Sequence, residues 1–268
     1  MTTYNQPDWL EKTLWGYAVQ TVKDFEIVIA DDGSGPPTFE RIEYLRRETG
    51  LAINHVWHED QGFRKCTAQN RAIAASRTDY LIFTDGDCIP RRDFVEAHLR
   101  FARPGRYLSG GYYKLPQEPS KAITPDEIRS NAIFNARWLL TAGAPFHPRM
   151  LKFHLNERAA ALCCRFTTTP ANFNGMSSSA WREDIIRVNG FDERMLYGGS
   201  DRELGLRLEN AGIRPMQIRY HAVCLHLHHG RGYSTPQTFA DNMKLRRETK
   251  QFGSTWTPYG IEQETIEP

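Results

Sequence analysis

Between residues 24 and 88 short apolar runs alternate with helical stretches, and two of the runs end in acids. Phe25-Glu26-Ile27-Val28-Ile29-Ala30 enters Asp31-Asp32-Gly33-Ser34-Gly35, and Tyr80-Leu81-Ile82-Phe83-Thr84 enters Asp85-Gly86-Asp87. Runs this short and apolar read as buried strands, and strands that alternate with helices form a parallel sheet with covering helices. In open sheets of that kind ligands bind beyond the carboxyl ends of the strands, which is where both acid pairs fall. Carboxylates separated only by Gly86 can lean toward one hard cation and leave its other positions to the oxygens of a substrate diphosphate. An ordinary Asp-Gly turn would explain a lone copy of this pattern, so the reading rests on the segments around it.

Pro7-Asp8-Trp9-Leu10 opens a helix after Asn5 as its cap, with Leu10, Leu14 and Ala18 on one face and an end near Gln20. Further helices are predicted over residues 38–49 and 65–76, and strands over 52–57 and 80–84. After Tyr113 the pattern changes. Residues 125–141 and 150–165 read as helices inside an insertion over about 116–169, where Arg129, Arg137, Arg149, Arg158 and Arg165 stand among apolar residues. Solvated helix faces explain such arginines as readily as an anionic acceptor or a membrane surface does. Residues 177–181 return to the sheet and 182–188 form a short helix. Ser200-Asp201-Arg202-Glu203 matches a capping box, so a helix starts near Ser200 and closes at Ala211-Gly212. Residues 214–227 read as extended chain. The fold class is α/β with one core.

Asp201 falls in the first turn of its helix, where the positive end of the dipole keeps a carboxylate ionised and able to act as a base. Acids are common in first turns for that reason alone, but Gly198 and Gly199 just before Ser200 let a backbone pass close to a ligand. Four imidazoles, His221, His226, His228 and His229, follow within nine positions. Strand alternation puts His226 and His228 on one face, and either would complete a site with the two carboxylates. Such a donor set suits Mn²⁺, with Mg²⁺ as the alternative. Arg64 and Asn70 flank a helix start that can hold phosphate or sugar oxygens. Tyr4, Asn5 and Asp31 or Asp32 can stack on and hydrogen-bond a nucleobase.

With 34 basic and 32 acidic residues the formal charge is +2, so no global field draws the chain to nucleic acid. The five cysteines show no zinc spacing and are expected as free, mostly buried thiols in a reducing compartment. Without a long apolar span or a signal-like start, the chain is expected to be soluble and cytoplasmic.

Five ordered blocks carry a resemblance to the family 2 glycosyltransferases of GT-A fold. They are Thr3-Tyr4-Asn5, Asp31-Asp32-Gly33-Ser34, Gly62-Phe63-Arg64 with Asn70, Asp85-Gly86-Asp87, and Gly190-Phe191-Asp192 leading to Tyr197-Gly198-Gly199-Ser200-Asp201. The chain most resembles the bacterial galactosyltransferase and chondroitin-polymerase group. The resemblance implies that Thr3, Tyr4 and Asp31 or Asp32 hold the base, that Asp85 and Asp87 form the metal-diphosphate motif, and that Asp201 is the catalytic base of an inverting transfer. It further implies a single GT-A domain, with residues 1–113 as the nucleotide-sugar half, 114–235 as the acceptor and catalytic half, and 236–268 as a C-terminal helix and tail. The substrates it implies are a UDP-sugar donor and a glycan or lipid-linked glycan acceptor in surface polysaccharide or lipopolysaccharide synthesis, with room for a peripheral contact at the inner membrane. Relatives carry a strand before Thr-Tyr-Asn where only Met1 stands here, so that strand is missing or the recorded start is late. An inactive sugar-nucleotide-binding module and a metal-dependent phosphoester hydrolase are the competing readings. The hydrolase leaves Asp31 and Gly198-Gly199-Ser200-Asp201 without a task.

Overall fold

The computed structural model describes residues 1–230 and 235–262. Chain order begins β1 (Thr2–Thr3), α1 (Pro7–Ala18), β2 (Ile27–Asp31), α2 (Pro36–Thr49), β3 (Ile53–Trp57), α3 (Lys65–Ala75), β4 (Tyr80–Phe83) and β5 (Cys88–Pro90). The helix and strand positions read from sequence in this stretch hold to within two residues at most ends. Asn5 is not the cap of α1. Gln6 precedes the helix, while Asn5 takes a left-handed φ of 47° and locks the facing turn, accepting from the Gly35 N–H and donating its own N–H to Ser34 Oγ.

There follow α4 (Phe94–Phe101), β6 (Arg106–Ser109), β7 (Gly111–Lys114), α5 (Gln117–Ala122), α6 (Pro125–Arg129), α7 (Ala136–Thr141) and α8 (Glu157–Phe166), with 3₁₀ turns at Ala132–Phe134 and Pro148–Phe153. The two long helices expected in the insertion are therefore broken. Asn131 turns left-handed at φ 62° and ends the first; Asn135 then caps a new start at α7, and Asn156 caps α8 by accepting from the Ala159 N–H. The chain ends with β8 (Ser178–Trp181), α9 (Arg182–Arg187), α10 (Ser200–Asn210), β9 (Arg214–Gln217), β10 (Val223–His226) and α11 (Pro236–Phe252). Of the C-terminal tail expected beyond that helix, residues 263–268 lie outside the described residues.

Among the described residues the strands form three sheets with four parallel pairings, β6–β9 among them, and three antiparallel ones, so the expectation of a mostly parallel sheet holds in part. β1, β2 and β3 pair in parallel, whereas β8 runs antiparallel between β4 and β6, and β10 runs antiparallel to β5 but parallel to β7. The strand whose absence the sequence suggested is represented by β1, which pairs with β2 and bridges through Thr2 to Asp85. The α-amino group of Met1 is buried, donates to the Val28 carbonyl, and is pulled down to about 5 by burial. Beside it an apolar cavity of about 350 Å³, lined by Val28, Ala72, Leu81, Phe83 and Val95 among others, separates β2 from β4.

Two large hydrophobic clusters, with a small one of Ala30, Ala68 and Ala72 beside them, fill the interior. One joins α1, β2, β5 and β10 to the inner side of the insertion through Ile128, Ile133, Phe134, Leu139, Met150 and Phe153. The other packs α3, β4, α9 and α10 around Phe83, Phe173, Phe191 and Leu204. Around the second cluster buried polar contacts lock α3 and α10 to the loop after α9. Asn70 donates to the Phe191 carbonyl and accepts from the Phe191 N–H, and Arg207 is wholly buried against Glu203 at 2.8 Å and the carbonyls of Val188 and Gly190.

Candidate active site

The carboxyl ends of β1 and β4, the loop after β10 and the start of α10 meet around one cavity of about 730 Å³. Thr3, Tyr4, Asn5 and Asp32 line one part of it, Asp85, Asp87, His226 and His229 another, and Gly198, Gly199, Ser200 and Asp201 a third. Gly86 fits because β1 crosses directly over it. A Cβ there would lie 2.9 Å from the Thr2 carbonyl oxygen, so only glycine lets the acid-bearing turn tuck under β1.

The two carboxylates at the end of β4 turn to different partners rather than to one point. Asp85 accepts from Thr2 Oγ1 at 2.6 Å and pairs with Lys65 Nζ at 2.7 Å. Burial pushes its carboxyl up, but Lys65 and the Thr2 hydroxyl outweigh that, and the net shift is downward. Burial alone would likewise lower Lys65, and the adjoining Asp85 charge reverses it. Asp87 faces the imidazoles: its Oδ2 lies 3.1 Å from His229 Nε2 and 3.9 Å from His226 Nε2. Ligand atoms of Asp87, Cys88 and His226 lie within 4.8 Å of one another, and the His226 and His229 rings are 5.3 Å apart. One carboxylate with one or two imidazoles is a donor set that Mn²⁺ accepts readily, and Cys88 is spoken for as a buried donor to Asp87 Oδ1.

Asp201 sits in the first turn of α10. Its Oδ2 accepts from the Gly175 N–H at 2.9 Å and its Oδ1 from the Arg202 N–H at 2.8 Å, leaving a free lone pair on each oxygen. Gly175 also lies against the other acid, since a Cβ on it would stand 3.6 Å from Asp85 Oδ2. The capping box read at Ser200 does not form. Gly199, at φ 90°, takes the cap position and has no side chain to accept with, Ser200 is already the first helical residue, and Glu203 is turned inward to Arg207. The loop carrying Gly198 is instead pinned from α11, where buried Asn242 Nδ2 lies 3.0 Å from the Leu196 and Gly198 carbonyls and 3.1 Å from that of Tyr197.

At the other end, Thr3 Oγ1 is buried and has no hydrogen-bond partner among the described residues, and Tyr4 is held by Asp60 at 2.9 Å. Asp32 accepts from the Arg64 N–H at 2.9 Å and lies 3.2 Å from His58 Nε2, yet burial raises its carboxyl to about 6.

Four residues expected at the site are engaged elsewhere. Asp31 is fully buried, bonded to the Ser34 N–H and to His55. Asn70 is the clasp to Phe191, Arg64 extends to Gln61 on the surface, and His228 is exposed, its backbone N–H donated to Ser120. The β10 strand ends at His226, so alternation does not carry on to His228, and the chain turn brings His229 back instead. Sequence reasoning passed over Thr2, Lys65 and Gly175. Lys65 had a signal: a cation as the first residue of a helix opposes the dipole, which argues for a charged partner.

The glycosyl transferase family 2 profile matches residues 1–158. The chain is 29% identical over 229 residues to a validoxylamine A glucosyltransferase of Streptomyces hygroscopicus subsp. jinggangensis, an alignment covering 81% of this chain and 51% of that protein. It is 26% identical over 228 residues to the chondroitin synthase of Escherichia coli, covering 78% and 32%. The chain thus spans about half the length, or less, of these relatives. Among solved structures it superposes on the mannosyltransferase PcManGT of Pyrobaculum calidifontis in complex with GDP-Man and Mn²⁺, with a TM-score of 0.57, 19% identity and coverage of 93% of this chain and 60% of that one. It also superposes on residues 1–349 of S. aureus TarS in complex with UDP-GlcNAc, with a TM-score of 0.59, 16% identity and coverage of 91% and 63%. The fold is GT-A.

Proposed function

Since the chain belongs to glycosyl transferase family 2, we propose that this glycosyltransferase moves a hexose or N-acetylhexosamine from a UDP-sugar, with inversion, onto a glycan in bacterial surface polysaccharide or lipopolysaccharide synthesis. The observation that carries the reading is the single cavity shared by Thr3, Tyr4 and Asp32, by Asp87 with its imidazoles, and by Asp201. Residues 1–113 form the nucleotide half in this reading and 114–235 the acceptor half. UDP bound to TarS and GDP-Man with Mn²⁺ bound to PcManGT support a nucleotide diphosphate in the cleft and a divalent ion beside it.

Asp87, His226 and His229 would hold the ion, Mn²⁺ in preference to Mg²⁺. When bound, it would neutralise charge on the departing diphosphate. The Thr3 hydroxyl, which has no partner among the described residues, and the Asp32 carboxyl supply a donor and an acceptor for a nucleobase. Lys65 steadies Asp85 and adds a positive charge on the floor of the cleft. Asp201 accepts the proton of the attacking acceptor hydroxyl, its orientation fixed by the Gly175 and Arg202 N–H groups. Attack from the face opposite the nucleotide gives inversion without a covalent intermediate.

The test is thermal stabilisation by UDP with and without Mn²⁺. We expect a shift that needs the ion and is lost in Asp87→Ala. Equal stabilisation by UDP with and without Mn²⁺ would overturn the metal assignment. Stabilisation without donor consumption in any glycan extract would favour a binding module.

A further inference from the structure

We propose that the outer face of α8 and the adjoining insertion is a docking surface for an anionic lipid bilayer. Arg158, Ala161, Leu162, Arg165 and Phe166 recur at helical spacing and all point outward, while Ala160 is the buried residue on the opposite side. This inverts the usual arrangement of a surface helix, which hides its large apolar side chains. Leu162 is 57% exposed and Phe166 72%, and the same insertion exposes Phe146 at 71% and Leu151 at 61%. No other stretch of the described residues exposes large apolar side chains so densely.

Charge identifies the occupant. Residues 131–169 carry Arg137, Arg149, Lys152, Arg158 and Arg165 against the single acid Glu157. Glu157 is tied to Arg100 at 2.9 Å, and Lys152 is buried, donating to the Tyr112 carbonyl. The four arginines are exposed and make no ion pair among the described residues. Arg165 lies over the Phe166 ring at 5.7 Å, so the cation and the ring present themselves together. A two-fold contact with a second copy of the chain would bring these arginines against themselves. A soluble polyanion would satisfy the guanidinium groups but leave Leu162 and Phe166 in water. A bilayer with anionic headgroups serves both: the phosphates take the arginines and the acyl boundary takes the apolar tips, as amphipathic interfacial helices do. No helix among the described residues is long and apolar enough to cross a membrane, so the contact is peripheral.

The experiment is flotation of the whole chain with vesicles of phosphatidylcholine alone and of equimolar phosphatidylcholine and phosphatidylglycerol. We expect binding to the anionic vesicles only, weakened by salt. Each basic residue near such a leaflet is worth roughly fivefold in partitioning, so R158E/R165E should bind at least about twenty-five-fold more weakly. L162S/F166S should also lose binding, with UDP stabilisation and melting unchanged in both, since these side chains face solvent. Three results would overturn the proposal: no flotation of the parent chain at low salt, equal flotation of L162S/F166S and parent, or a parent dimer that both variants dissociate.

Discussion

Residues 1–90 and residues 116–169 are held by different means. In the first, every acid at a strand end has a fixed partner: Asp31 has Ser34 and His55, Asp32 has the Arg64 N–H, and Asp85 has Thr2 and Lys65. In the second, the longest helix has 10 residues, and apolar side chains divide between an inner set packed in the core and an outer set facing water. Buried polar contacts fix one geometry, because an unpaired buried group is costly. A surface of short capped segments tolerates change. The first region is built to hold a site, and the second to present a face.

Buried polar contacts of the kind that fix the first region also hold α10, and cutting one should bring the largest loss of stability. Arg207→Ala strands the buried Glu203 carboxylate, and we expect about 3–5 kcal/mol of destabilisation in a denaturant titration. A next, pH-dependent effect belongs to Asp32. Its folded value lies near 6, above the ordinary 3.8, so its contribution to stability is full below about pH 4 and is lost as pH rises through 6. Asp32→Asn should therefore gain on the parent across that window by on the order of 2 kcal/mol. Melting curves at pH 4 and 7 check the sign. Asn242→Ala should cost about 1 kcal/mol and slow transfer by loosening the loop before Asp201, with UDP affinity retained. Smallest of all, Arg137→Ala and Leu162→Ser in the insertion should change stability by no more than about 0.5 kcal/mol. A large loss there would erase the distinction between the two regions.

The same contrast sets what the sequence disclosed. Alternation and acid-closed runs made β2, β3, α3 and β4 legible, since long-range packing there agrees with local pattern. The insertion misled because apolar periodicity continues through Asn131 and Asn156, and only a left-handed turn and local caps reveal the breaks. Strand polarity was also hidden. β8 enters antiparallel after a long excursion, which no periodicity encodes. At the candidate site, Asp85, Asp87 and Asp201 were readable as acids at element ends. That Asn70 is a clasp, and that His229 rather than His228 faces Asp87, depends on where the chain turns after β10.

In the proposed reaction Asp201 takes a proton from the acceptor across a cleft that holds the donor independently of it. Measuring UDP affinity and donor consumption for Asp201→Asn in the presence of Mn²⁺ tests it most directly. UDP affinity should match the parent, while transfer falls by roughly 10²–10⁴-fold. Undiminished transfer by Asp201→Asn would contradict the account.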